Sequence, residues 1–195
     1  MPTETITRYL TSKKTAKNIQ MNLVMQCAPV LKNVKMSCLF TMPAGCCERI
    51  AFHLRRTGVR FCCLRRGNER ELIFLYREEW LKSYLEQEDV AAFLNRYGYT
   101  EGSLDQKLQH LREQISYFYC KSQGFPHEMG VFLGYPLEDV VGFIEHQGRN
   151  CSYIGYWKVY SDVERAKRMF CAFDEAKDCA VNEFFSGKNI REIAC

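Results

Sequence analysis

His127 and Glu128, in the run FPHEMGVFLGYPLEDVV, are the first residues in this chain whose types could do chemistry. An imidazole titrates near neutrality, so His127 is a candidate general acid/base and a candidate metal or haem ligand. Neighbours in an extended segment point to opposite sides, so Glu128 is not expected to orient His127. The competing expectation is that Pro126 fixes the chain and His127 hydrogen-bonds the backbone at a strand entrance. Further along, Glu138 and Asp139 fall in the first turn of an expected helix, where the macrodipole stabilises carboxylates by about 0.3–1 kcal/mol without any catalysis. Their functional alternative is a charged lip at the C-terminal end of a strand, where open α/β sheets bind ligands. Tyr135 and Tyr160 would stand on that edge. Lys158 would share a strand face with Tyr156 and Tyr160 as a candidate anion binder. If MGVFLGY is a straight strand, its rise places about 20 Å between His127 and Glu138. A single site would then use His127 or the acidic doublet, not both.

The chain has 11 cysteines, which raises disulfides and zinc. Cys46-Cys47 and Cys62-Cys63 are adjacent pairs and no C-x-x-C occurs, so the spacing argues against structural zinc. Strand alternation would send Cys62 and Cys63 to opposite faces. Cys46 at a helix N-terminus could carry a lowered pKa, but His53 lies about 10 Å along the helix axis and is too distant to activate it. Cys27, close before Pro29, is either an exposed thiolate ligand to a metal or haem, or a buried small apolar residue at a helix end. The opening run MPTETITRYLTSKKTAKN has no apolar leader core, and no stretch is long enough to span a membrane. The expectation is a cytoplasmic protein with free thiols; such thiol usage suits a low-oxygen organism.

At 195 residues, 47% apolar and 13% aromatic, the chain is not disordered and has the size of a single domain, 1–195. A net charge of +4 is mild, and without a basic stripe nucleic acid is an unlikely partner. Arg55, Arg56, Arg60, Arg65, Arg66 and Arg70 cluster around one hairpin. They read as a solvated surface, with a phosphate or acidic-partner patch as the alternative.

The elements that must position these residues follow from pattern. A helix over 15–26 is expected to stop at Pro29, followed by a strand over 37–42 and a helix over 44–56 ended by Gly58. Two apolar runs flanking Gly67-Asn68 predict a β-hairpin. Helices are expected over 77–86 and 90–97, and another behind a Ser103/Gln106 capping box. The strand MGVFLGY then leads into a helix opened by Pro136 and closed by Gly148. A last strand covers 152–160. A Ser161/Glu164 capping box opens a C-terminal helical region, 161–186. Two β-α-β units, 37–65 and 128–160, predict an α/β fold: a mixed sheet of about five strands flanked by helices.

The blocks FPHEMGVFLGYPLEDV (125–140) and GYWKVY (155–160), with QCAPVLKNVKMSCLF before them and GYWKVYSDVERAKRMF at the end, resemble a bacterial domain-of-unknown-function family found mainly in anaerobic Gram-positive bacteria. The likeness covers about 27–170, with Met129 standing where the family block has Ile. It implies no activity and no cofactor; what it implies is a redox or iron-handling context. Because no complete catalytic constellation is visible, the favoured expectation is a domain binding a small ligand or a protein partner in a redox or metal setting. The alternative is a hydrolase or transferase using His127 as acid/base.

Overall fold

The structure, a computed structural model, describes residues 15–100, 102–121 and 125–194. Most of the N-terminal run read for a leader lies outside the described residues. The elements, in order, are α1 (Thr15–Leu31), β1 (Ser37–Pro43), α2 (Cys47–Leu54), β2 (Val59–Arg66), β3 (Arg70–Arg77), α3 (Glu78–Leu85), α4 (Glu88–Asn95), α5 (Leu104–Lys121), α6 (Met129–Phe132), α7 (Leu137–Glu145), β4 (Tyr153–Ile154), β5 (Lys158–Val159), α8 (Val163–Phe185) and α9 (Ile190–Ile193).

The expected hairpin forms the heart of a three-stranded sheet in the order β1-β3-β2, with both pairings antiparallel. β3 is apolar on both faces because both are covered. Ile73 and Leu75 join Ile50, Leu54 and the α1 residues Leu23, Val24, Cys27 and Leu31 on one side. Phe74 and Tyr76 join Leu81, Leu85, Phe93, Leu111 and Phe132 on the other. The fold is therefore α/β in layers, helices on each side of a small sheet.

The expected sheet of about five strands is not present. β4 and β5 form a separate two-stranded hairpin, and MGVFLGY is not a strand at all. Residues 129–132 are helical, and Gly134, at φ +73, closes them. The Tyr135 N–H donates to the Gly130 carbonyl at 3.0 Å and the Gly134 N–H to the Val131 carbonyl at 2.9 Å. That pair of bonds around a left-handed glycine is a Schellman closure, with Pro136 just beyond it as helix terminators often have. The 128–160 β-α-β unit is lost with this strand. In the 37–65 unit β1 and β2 do run parallel, but β3 lies between them.

α1 runs through Pro29 to Leu31 rather than stopping before it. A proline this close to a helix end removes one backbone donor, and little helix remains to be disturbed. Two carbonyls at this end accept from the sheet. Arg77, the last residue of β3, donates through Nε to Val30 O at 2.9 Å and through Nη2 to Leu31 O at 2.8 Å. The Ser103/Gln106 capping box forms as expected, with bonds of 2.8 and 3.3 Å. The α8 cap shifts by one residue: Asp162, not Ser161, accepts from the Arg165 N–H at 2.9 Å. Substituting Arg77→Met removes two charge-assisted bonds that tie the sheet to α1. A loss of about 2–3 kcal/mol is expected, read as a lowered urea midpoint; an unchanged midpoint would show that these carbonyls are satisfied by solvent instead.

Candidate functional site

The turn at 126–135 places side chains that a strand would have kept apart. His127, Met129, Gly130, Leu133, Tyr135, Asp139, Val140, Phe143, Trp157 and Lys158 surround one cavity of about 350 Å³, with Phe125 and Pro126 at its edge. The 20 Å separation expected between His127 and the acidic doublet does not exist for Asp139, because the intervening chain is coiled and not extended. Glu138, the other half of the doublet, is exposed and does not line the cavity.

Asp139 is the polar centre of this region, and it is 2% exposed. Its Oδ2 accepts from the Trp157 indole N–H at 2.7 Å. Its Oδ1 accepts from the Tyr160 N–H, the Ser161 N–H and the Ser161 hydroxyl, each at 2.8 Å. The carboxylate thus fixes the β5 exit and the indole together, and these partners use its hydrogen-bonding capacity. It also explains the displaced α8 cap, since the Ser161 hydroxyl is committed to Asp139. Helix α7 approaches this junction closely: a Cβ at Gly142 would lie 2.6 Å from the Tyr160 Cβ. Asp139 is therefore a structural anchor in the cavity wall.

The walls are aromatic. Tyr135 stacks on Trp157 with centroids 4.9 Å apart, Phe170 meets Trp157 edge-on at 4.5 Å, and His127 lies against Phe143 at 5.5 Å. Behind Tyr135, the Lys35 ammonium sits 5.3 Å from the Tyr135 centroid and 5.5 Å from that of Phe173; burial lowers its pKa. Lys158 Nζ donates to the Gly148 carbonyl at 2.7 Å, past the C-terminus of α7. Two of its three protons remain for another acceptor. Tyr160 does not line the cavity: its ring stacks on His146 at 5.5 Å, and only its backbone serves the site.

His127 is exposed at the cavity edge, while Glu128 is buried beneath it. Glu128 faces the core, accepting from the Tyr99 hydroxyl at 3.3 Å, and does not orient the imidazole. Burial pushes the Glu128 carboxyl up, against the lowering effect of its hydrogen bonds. Cys27, a metal candidate by sequence, is fully buried. Burial, reinforced by Cys38, pushes its thiol well up, so it is a core residue and not an exposed thiolate. Cys46 is also buried, and burial and Glu71 raise its pKa instead of lowering it. Every described cysteine is free. A group that could hold a metal does form, from two cysteines the spacing argument had set aside and a glutamate it did not consider: Cys47, Cys63 and Glu71, whose ligand atoms all lie within 4.8 Å of one another. The hairpin arginines are used locally: Arg60 pairs with Glu78 at 3.1 Å, Arg70 donates to Thr41, and Arg65 lies 4.2 Å above the Tyr119 ring centroid.

A turn, a hairpin and two helices of a layered α/β chain thus wall a half-open aromatic cavity. Residues 23–194 match the family described as "Protein of unknown function (DUF3793)", and the chain belongs to it. No curated protein and no solved structure matches the chain. No helix of the described residues is long and apolar enough to cross a membrane.

Asp139→Asn leaves the volume unchanged but removes the charge that its donors share. It is expected to destabilise the fold by about 2–4 kcal/mol and to shift Trp157 emission to the red in urea titrations. Unaltered emission and midpoint would mean that the junction holds without the carboxylate. Glu128→Gln tests the buried carboxyl. Because burial raises its folded-state pKa, the folded protein keeps a proton that the unfolded chain releases, so stability falls as pH rises through that window. The glutamine variant is expected to lose this decline; an identical pH profile of the melting temperature for both proteins would contradict it.

Proposed function

We propose that this chain binds a small, planar, anionic ligand in the aromatic cavity, in a redox or metal-related setting and a reducing compartment such as the cytoplasm. The observation that carries the reading is the composition of the cavity wall. Stacked Tyr135 and Trp157, with Phe143 also in the wall, favour a flat apolar group. The charged groups at its edge that still have unused donors are Lys158 and, when protonated, His127. The carboxylate in its wall is saturated, so a negative group on the ligand meets attraction and no repulsion. The volume of about 350 Å³ lies in the range of small-molecule and cofactor sites. The family resemblance and the abundance of free thiols support the redox setting.

The alternative, a hydrolase or transferase using His127 as acid/base, draws on the placement of His127 at the edge of the same cavity. It is the weaker reading because no side chain among the described residues hydrogen-bonds the imidazole, and a general base is ordinarily oriented by one.

Thermal-shift titrations with indole-3-carboxylate, flavin mononucleotide and haem test the proposal. A ligand held at about a hundred times its Kd stabilises the folded state by about 2.7 kcal/mol, so a clear rise in Tm is expected with at least one of the planar anions. Lys158→Met and Phe143→Ala are expected to diminish it. A Tm indifferent to all of these compounds would reject the proposal. A rise that survives both substitutions would place the binding elsewhere.

A further inference from the structure

On the α1–α2 side of the sheet, away from the aromatic cavity, a carboxylate stands between two thiols. Glu71 on β3 is 6% exposed. Its Oε2 accepts from the Cys47 Sγ at 3.3 Å, and no salt bridge joins it to a cation among the described residues. Arg66, its register partner across the β2–β3 ladder, makes no such pair with it. A carboxylate removed from water without a countercharge is costly, and such groups are usually paired or bound to metal.

The local fold explains why the three ligand atoms meet. Cys63 pairs with Ile73 and faces the α1–α2 layer beside Phe61. The ladder then slips between Cys63 and Arg65, so that pairing resumes one residue late. This bulge carries Arg65 to the Tyr119 ring of α5 instead of continuing the Cys63 face. Cys47, the first residue of α2, closes the third side. Burial and the neighbouring Glu71 and Cys63 push its thiol up to about 12, as expected where several groups that become anionic share one small space without a cation. β2 is an edge strand. The groove along this edge, about 760 Å³, is lined by Cys47, Cys63, Arg65, Arg66 and Arg112 among others.

We infer that Cys47, Cys63 and Glu71 form a site for a thiophilic divalent cation, zinc(II) being the fitting class, with its fourth coordination position open to the edge groove. Two thiolates and one carboxylate match the ligand types of a tetrahedral zinc centre, and three protein ligands plus a free position is the arrangement of open zinc sites. Binding releases the two thiol protons and leaves Zn(S⁻)₂(O₂C⁻), so uptake strengthens with pH. The inference is independent of what occupies the aromatic cavity.

The test is a cobalt(II) titration of the full, reduced, metal-free chain, followed by zinc competition against a chromophoric chelator. One equivalent of cobalt is expected to develop a thiolate-to-metal charge-transfer band that zinc abolishes, with tighter uptake at higher pH. Cys47→Ser and Cys63→Ser should each lose the band, and Glu71→Gln should keep thiolate binding but weaken it at least about tenfold. Cys171→Ser and Cys179→Ser, both exposed residues elsewhere on α8, should keep it. Absence of the band in the wild-type chain overturns the assignment, and this readout needs no variant to fold. Persistence of the band in the Cys47→Ser and Cys63→Ser variants overturns it equally.

Discussion

The Asp139 carboxylate holds the aromatic cavity together. One carboxylate at the N-terminal end of α7 receives an indole N–H, two backbone N–H groups and a hydroxyl. These bonds join the start of α7 to the β4–β5 hairpin and to the residues that lead into α8. Its position in the first helical turn adds favourable dipole energy, but the hydrogen bonds dominate, since each bond to a buried charge is worth about 1.5–3 kcal/mol. The indole is oriented by its one polar atom, and its ring face is thereby offered to Tyr135. The acidic doublet of the sequence is one anchoring carboxylate and one exposed neighbour.

The sheet makes the second constraint. β3 is buried on both faces, so helices must cover both, and Arg77 at its end couples it to α1. Ser37, the first residue of β1, donates through its hydroxyl to the Phe132 carbonyl of α6 at 2.5 Å. Phe132 packs edge-on to Phe74 of β3 at 6.5 Å. The turn bearing His127 is thus clamped to the sheet by a hydrogen bond and a ring contact. α8 spans the structure, with its first half under the hairpin and its second half against α1, where Lys32 meets Glu183 at 2.7 Å.

Much of this was legible where local pattern and tertiary packing agree. The hairpin around Gly67-Asn68, the flanking helices and the Ser103/Gln106 box are local signals, and they appear in place. MGVFLGY was misread because a short apolar run does not distinguish a strand from a buried helical turn. The deciding signal was present: glycine two residues before a proline, at the end of an apolar turn, marks a helix stop. The error propagated, since it turned a coiled connection into a 20 Å spacer and separated His127 from Asp139. Trp157 is a cavity wall that no local sequence signal marks. Its orientation depends on Asp139, and no spacing rule links the two. The Cys47, Cys63 and Glu71 group escaped for a similar reason. It joins a helix start to two strands across a bulge, and the adjacent-cysteine argument considered each pair only within its own segment.

The central claim is that Trp157, locked by Asp139, forms the wall of a site for a planar anion. A Trp80→Phe chain reports Trp157 alone, since the chain holds 2 tryptophans. Its emission, titrated with indole-3-carboxylate and with flavin mononucleotide, is the most direct measurement. The account predicts saturable one-to-one quenching by at least one of them, weakened by Lys158→Met. Emission that stays constant, or falls without saturating, would contradict it.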